Sequence, residues 1–262
     1  MKSASRETSV SVVDDCSSSS HRVEVPQLKN EVLAMVAHEL RGPLTPLRFA
    51  ARGIRAGLAG RTDMLRLLDM IDRQISEIER LSEDLMDATR IDQGVLRVAR
   101  VSVDVVTVLA DICEVAASAA TARSQVFAIQ IPDRTLSVEG DPVRIAQAVH
   151  NLLHNAIKYT QAGGRVEISA FAEGRDLVVS VSDNGLGLSD ALMPHIFDLF
   201  AQSSRTIAAS AGGLGVGLAV VKAVAESHGG TVSATSAGPG AGSKFTLRLP
   251  IVLGHHAVLH QA

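Results

Sequence analysis

The 262-residue sequence predicts an all-α antiparallel helical hairpin followed by an α/β sandwich. Three observations carry that reading. An apolar period of three and four residues runs through the first third in two long blocks. Near residue 93 the texture changes to short β-rich runs that alternate with helical segments. Late in the chain a Gly-rich loop opens into a helix. A hydrophobic content of 46% against 20% charged residues is that of a globular chain with a buried core. Aromatic residues make up 3%, with no Trp, so the cores must be built from Leu, Ile, Val and Ala.

The first helical block is Leu28, Val32, Val36, Leu40, Leu44, Leu47, Ala51, Ile54 and Leu58. The stretch "AGLAGRTD" interrupts it with two glycines. A second block follows at Met64, Leu67, Ile71, Ile75, Ile78, Leu81, Leu85 and Ala88, with charges such as Asp72, Arg73, Glu77 and Arg80 between them. Two long helices joined by a short turn form an antiparallel hairpin. Its broad apolar face has nothing within the hairpin to cover it, so a second copy is expected to complete a dimeric four-helix bundle.

After the break come a helix around Val103–Ala122, strands "QVFAIQI" and "TLSVEG", and a helix Pro142–Tyr159. Strands "RVEISAF" and "DLVVSVS", a helix Val216–Ser227, and strands "TVSATS" and "SKFTLRLP" complete the series. Short turns between successive strands imply an antiparallel-dominated sheet covered by helices. The expected domains are a Ser-rich disordered leader (1–25), the hairpin (26–93), a linker (94–102), the sandwich (103–250) and a flexible tail (251–262).

A net charge of −3 gives no reason to expect nucleic acid as a partner. Cys16 and Cys113 are too few and too distant for a disulfide framework or metal cluster, which fits a reducing cytoplasm. No apolar run is expected to reach the roughly 18 residues that span a bilayer, and the N-terminus lacks a signal-like apolar core. A membrane sensor is therefore expected to be a separate protein.

Four stretches carry chemistry. "AHELRGPLTPLRFAA" sets His38 beside Glu39 on a helix and follows them with Pro43 and Pro46, each of which removes a helical hydrogen bond. Gly42 adds backbone freedom, so the helix is expected to bend just after the histidine. The helix Pro142–Tyr159 carries a polar stripe at Arg144, Gln147, Asn151, Asn155 and Lys158. Such a stripe is ordinarily a solvated face. Two mid-helix asparagines weaken that reading, because amide oxygens can ligate Mg2+ and a lysine can meet phosphate. "SDNGLGLSD" alone reads as a turn, yet Asp183 stands at a strand end where it could accept a hydrogen bond from an exocyclic amine. Gly185 and Gly187 would let a flat ring approach the backbone. Finally, "GGLGVGLAVVKAVAESHGG" leads glycines into a helix N-terminus, an arrangement suited to anions. It follows a loop rather than a strand, so it is no dinucleotide fingerprint, and a GxxxxGK[ST] loop is absent from the sequence.

Taken together, in this order, these stretches resemble the boxes of bacterial sensor histidine kinases over about Gln27 to Pro250. "HELRGPL" is similar to the H box, "HNLLHNAIKYT" to the N box, "DNGLG" to the G1 box, "IFDLF" to the F box and "GGLGVGLAVVK" to the G2 box. The resemblance implies a HisKA-type dimerisation and histidine-phosphotransfer hairpin followed by an ATP-binding domain of the Bergerat type. That domain type is shared by gyrase, Hsp90, histidine kinases and MutL (GHKL). It implies that His38 is the phosphoacceptor and Glu39 its base. Asn155 would be the principal Mg2+ ligand, with Asn151 near metal and phosphates. Lys158 would meet phosphate, Tyr159 would flank the nucleotide and Asp183 would bind the adenine amino group. Gly185, Gly187, Gly213, Gly215 and Gly217, with Leu218 after them, would shape the pocket and a lid of about Ala201 to Gly212. ATP, Mg2+, a second copy of the chain and a response regulator receiver acting in trans are the implied ligands and partners.

The sequence departs from that pattern in two places. Four residues after His38, where the family usually has Thr or Asn to orient water for dephosphorylating the regulator, stands Gly42. The lid "AQSSRTIAASAGG" holds a single cation, Arg205, which implies weak or unusual clamping of the γ-phosphate. Two other readings compete. One is a non-catalytic dimeric scaffold of the same fold, which intact His38, Asn155 and Asp183 argue against. The other is an ATPase or serine kinase of the superfamily, which would need no H-box hairpin. The tail's "HHAVLH" has no carboxylate or cysteine nearby and reads as a mobile segment rather than a metal site.

Overall fold

The structure, a computed structural model, describes residues 36, 43–54, 61–94, 96, 98–132, 136–201 and 214–251. His38, Glu39, Gly42, Arg205 and Gly213 lie outside the described residues, as do the leader and nearly all of the tail. So does the expected bend, apart from its two prolines.

α1 (43–54) and α2 (Arg61–Asp92) form the hairpin. Pro43 and Pro46 both lie on α1, whose helical residues run on past them without a break to residue 54. Gly53 lets the helices approach closely, since a Cβ there would stand 3.2 Å from Leu67 of α2. Ala50 is fully buried, while Leu44, Phe49, Leu65, Leu68 and Ile75 remain exposed along the hairpin. That is the apolar face for which the sequence expects a second copy.

The second unit is a two-layer sandwich. Its sheet has the order β2-β4-β5-β7-β6, formed by β2 (Val126–Gln130), β4 (Arg165–Glu173), β5 (Asp176–Asp183), β7 (Ser243–Pro250) and β6 (Thr231–Thr235). Only β2 and β4 run parallel; the other neighbours are antiparallel. A separate pair joins β1 (Val101–Asp104) to β3 (Ser137–Gly140). α3 (Val105–Ala122), α4 (Pro142–Tyr159) and α5 (Gly217–Ser227) pack against one face of the sheet. The two-residue alternation of the strands sends Val166, Ile168, Val179, Val181, Leu247 and Leu249 inward, all at 1% exposure or less. They meet Leu109, Ile145, Val149, Leu152, Val220 and Val224 from the helices.

Two sequence expectations need correction. The helix expected from Val103 begins at Val105, because Val103 and Asp104 pair with β3 and the Asp104 carboxylate caps α3 by accepting from Val106 N at 3.1 Å. The expectation that no segment is apolar and long enough to span a bilayer also fails on composition. α3 has 18 residues and a mean hydropathy of 1.6. Val105, Leu109, Cys113, Ala116 and Ala120 of that helix nevertheless lie in the core of the sandwich.

α4 is held at both ends. Asp141 caps its start, accepting from Val143 N and Arg144 N at 3.0 and 3.2 Å, and Pro142 occupies the first turn. Burial would raise the Asp141 carboxyl, but N–H donors of Ala99, Arg144 and Val143 outweigh it and hold it below the usual range. At the other end Gln125, 7% exposed, donates Nε2 to the carbonyls of Ile157 and Thr160 at 2.9 and 2.7 Å. These closing bonds fix where the C-terminal part of the polar stripe points.

Candidate functional site

α4, the end of β5 and the start of α5 converge on one side of the helical layer. Asp183 is the last residue of β5, and the β5–β7 register sets it directly opposite Ser243. Its two carboxylate oxygens are both engaged: Oδ1 accepts from Gly185 N at 2.8 Å, and Oδ2 accepts from the Ser243 hydroxyl at 2.6 Å. Two bonds hold the carboxylate plane while leaving each oxygen a further lone pair for a ligand. Ser243 was missed in the sequence. The signal was the "GAGSK" turn ahead of β7, where only a small residue fits. A Cβ at Gly242 would stand 2.0 Å from the Asp183 carbonyl.

The loop after β5 is assembled from backbone in contact with backbone. Leu186 N donates to the Tyr159 carbonyl at 3.2 Å, and Gly240 N to the Leu186 carbonyl at 2.7 Å. A Cβ on Gly185 would lie 2.2 Å from the Tyr159 carbonyl oxygen, and one on Gly187, at φ +63°, would lie 2.1 Å from that of Gly238. The sequence expected these glycines to admit a ring. In the structure the chain's own backbone takes up the space beside them, which ties α4, the β5 loop and the β6–β7 turn together.

The asparagines of the stripe divide in role. Asn151 donates Nδ2 to the Gly217 carbonyl at 3.2 Å, joining α4 to the first residue of α5 and fixing its own oxygen's direction. Asn155 lies one turn further along the same face, half-buried. Lys158 follows, with Nζ 5.1 Å from the Tyr159 ring centroid. A cavity of about 380 Å³ opens beside this end of α4, lined by Arg123, Lys158, Tyr159, Gln161 and Leu186 among others. It does not reach Asn151, Asn155 or Asp183, so it adjoins the cleft rather than filling it.

The Gly-rich segment ends in a defined base. Phe200 N donates to the Gly215 carbonyl at 3.0 Å, so residues 201 and 214 are drawn together. Gly215 has φ +69°, and a Cβ there would meet the Ala201 carbonyl at 2.9 Å. Gly217 differs: a Cβ would sit 3.5 Å from Asn151 Cγ, an ordinary contact. Leu218 is half-buried against the core.

The first two members of the stripe face another partner. Arg144 and Gln147 bind Asp87 of α2, and His150 and His154 stack with ring centroids 6.2 Å apart on the neighbouring strip of α4. Burial and the Arg80 guanidinium push the His154 imidazole down to about 4, and lower that of His150.

Residues 28–94 match the family described as the His Kinase A (phospho-acceptor) domain. Residues 140–253 match the family described as histidine kinase-, DNA gyrase B- and HSP90-like ATPase. The chain belongs to the sensor histidine kinase family. The adaptive-response sensory kinase SasA of Parasynechococcus marenigrum is 35% identical over 237 residues, covering 86% of this chain. The sensor protein KdpD of Clostridium acetobutylicum is 30% identical over 235 residues, covering 87%. The chain spans 58% of the former and 25% of the latter. Among solved structures, the Acinetobacter baumannii histidine kinase AdeS superposes with a TM-score of 0.60 at 25% identity, over 82% of this chain and 98% of that one.

Proposed function

We propose that the chain is an ATP-dependent protein histidine kinase that phosphorylates its own His38 and donates the phosphoryl group to an aspartate of a response regulator in trans. The observation that carries this reading is the Asp183 carboxylate, fixed by Ser243 and Gly185, in one cleft with the Asn151–Gly217 bond that joins α4 to α5. Asp183 accepts the exocyclic amine of adenine, which gives discrimination because a partnerless amine would be costly to bury. Tyr159 flanks the base, Lys158 meets phosphate oxygens, and N–H groups near Gly215 and Gly217 lie at the N-terminus of α5, whose dipole favours anions; Gly213, outside the described residues, is proposed to serve the same anion.

The donor set suits Mg2+, a hard cation that takes oxygen ligands, and Asn155 with Asn151 beside it would hold it. When bound, the metal neutralises negative charge on the phosphate oxygens. His38 attacks as a neutral imidazole, since its ordinary pKa near 6.5 leaves it mostly unprotonated at cellular pH. A bond forms from one ring nitrogen to the γ-phosphorus while the bond from that phosphorus to the β–γ bridging oxygen breaks, releasing ADP. The proton on the other ring nitrogen passes to the Glu39 carboxylate. Residues 26–93 serve as the dimerisation and phosphoacceptor hairpin, 94–102 as linker and 103–250 as the catalytic unit. The exposed Phe49, Leu65, Leu68 and Ile75 supply apolar area for a homodimer. The proposed setting is the cytoplasm, where ATP and a receiver are available.

Incubation with γ-labelled ATP and Mg2+ tests the reading. Acid-labile, base-stable label is expected on the protein and is expected to vanish in His38→Ala. Label that persists in that variant would overturn the phosphoacceptor assignment.

A further inference from the structure

The far end of α5 carries "SHGG", residues to which the nucleotide reading gives no role. His228 there is 7% exposed, and both of its ring nitrogens are bonded. Nε2 stands 2.9 Å from the backbone N–H of Asp141, a group that only donates, so Nε2 accepts. Nδ1 lies 2.7 Å from the Val224 carbonyl, a group that only accepts, so Nδ1 carries the ring proton. Asp141 is the N-cap of α4, and its carboxylate also accepts from Ala99 N at 3.1 Å. The imidazole fills its place: a Cβ on Gly140 would stand 2.3 Å from His228 Cδ2. The turn behind it is equally close, since a Cβ on Gly230 would stand 2.0 Å from the Arg248 carbonyl oxygen.

We propose that His228 is a positioning residue for the kinase site. It locks the start of α4 to the end of α5, and so keeps Asn151 and Asn155 aimed at the metal and the phosphates. The two helices run antiparallel, because Asp141 meets His228 while Asn151 meets Gly217. Between those bonds α4 gives Ile145, Ala148 and Val149 to the core and α5 gives Val220, Val221 and Val224, all fully buried. Apolar packing is non-directional, so by itself it lets one helix roll or slide on the other. One polar bond fixes a point. Two bonds, about 15 Å apart along α4, fix the angle as well. Without His228 the Asn151–Gly217 bond becomes a pivot, and a turn about it moves Asn155 relative to the N-terminus of α5. His228 touches no reacting group, so its effect reaches the site only through the register of these helices.

The inference deepens the proposed kinase function and rests on it. The test uses the full chain with two readouts. One is affinity for a non-hydrolysable ATP analogue with Mg2+, and the other is hydrogen exchange of the amides of Val220–Val224. His228→Leu keeps an apolar group in the core and removes both bonds. It is expected to weaken analogue binding by about tenfold, the lower range for groups that orient a metal's ligands. His228→Gln, whose amide oxygen accepts and whose amide nitrogen donates, should stay within about twofold of the parent. Gly140→Ala crowds the ring without removing it, should act like His228→Leu, and decides the matter where that variant does not fold. Asn151→Ala opens the other clamp, so its loss and that of His228→Leu should not multiply, whereas the losses from Asp183→Ala and His228→Leu should. A histidine that merely stabilised the fold would multiply with both. Unchanged affinity in folded His228→Leu, or in Gly140→Ala in its place, overturns the proposal, as does full multiplication with Asn151→Ala. If the parent binds no analogue, the kinase reading fails. The exchange measurement then still decides whether the ring holds the two helices: faster exchange in His228→Leu is expected, and unchanged protection overturns the clamp.

Discussion

α4 carries one polar stripe whose two ends have different fates. Its later part holds Asn151, Asn155 and Lys158, and Asn151 is bonded inside the catalytic unit to Gly217. Its first part, Arg144 and Gln147, binds Asp87 of α2, with His150 and His154 stacked on the neighbouring strip. The same helix thus carries a site that is complete within one unit and a seam that exists only while two units touch. The difference teaches that polarity on a buried helix face is not one signal. Within the cleft, each anchored group keeps spare hydrogen-bonding capacity for a ligand; in the seam, capacity is spent on the protein.

The strongest way to break the contrast is at the cleft's anchor. Asp183→Ala removes the acceptor proposed for adenine and strands the Ser243 hydroxyl and Gly185 N–H, so nucleotide affinity should fall by about 100-fold, roughly the 2–3 kcal/mol of a charged hydrogen bond. A fluorescent nucleotide titration reads this directly. Hydrogen exchange of α2 should stay as in the parent, because the seam does not use Asp183. Next in size is a comparison of glycines. Gly187→Ala would put a Cβ 2.1 Å from the Gly238 carbonyl at a positive φ, and a loss of about 1–3 kcal/mol is expected in urea unfolding. Gly217→Ala meets only ordinary contact at 3.5 Å and, inside a helix, should be neutral or slightly stabilising. Equal losses in both variants would show that the glycines are not distinguished by space.

The cleft was legible in the sequence because its residues carry their own local signals. Helix Pro142–Tyr159 has a proline at its first position, an Asp cap ahead of it and an uninterrupted 3.6 period, and its observed ends match the expected ones. Asp183 was readable from its place at a strand end. Ser243 was not, because its role depends on a register between β5 and β7 that separates it from Asp183 by 60 residues. The same limit hid the seam. Asp87 looked like one more charge on an amphipathic helix, and Arg144 and Gln147 like more of the stripe. Their meaning is a contact across 57 and 60 residues that no period encodes. β1 was missed for a related reason: four residues paired with a distant partner leave too short a pattern to separate from the helix that follows.

The smallest effect expected is also the most specific to the seam, and it concerns pH. His154 is pushed from an ordinary 6.5 down to about 4 by burial, with Arg80, Lys158 and His150 adding to the effect and Glu77 opposing it. Asp84 is raised from 3.8 to about 6 by burial, against Arg80 and with Asp87, Glu77 and Glu83 adding to the rise. The signs oppose each other. A depressed histidine means that the unfolded chain binds more protons, so its contribution is present above 6.5 and is lost as pH falls towards 4. A raised carboxyl means that the folded chain binds more protons, so stability from Asp84 grows as pH falls from 6 towards 3.8. Between pH 6 and 4 the two nearly cancel in the parent. Asp84→Asn leaves the histidines alone, and its stability should drop on acidification relative to the parent by at most about 1.4 kcal/mol per pH unit. His154→Gln leaves Asp84 to act against His150, whose imidazole is also lowered, and should shift the slope the opposite way by a similar amount. Urea midpoints between pH 6.5 and 4.5 measure both slopes. Parallel curves for the two variants would mean that neither group senses the packing of α2 on α4.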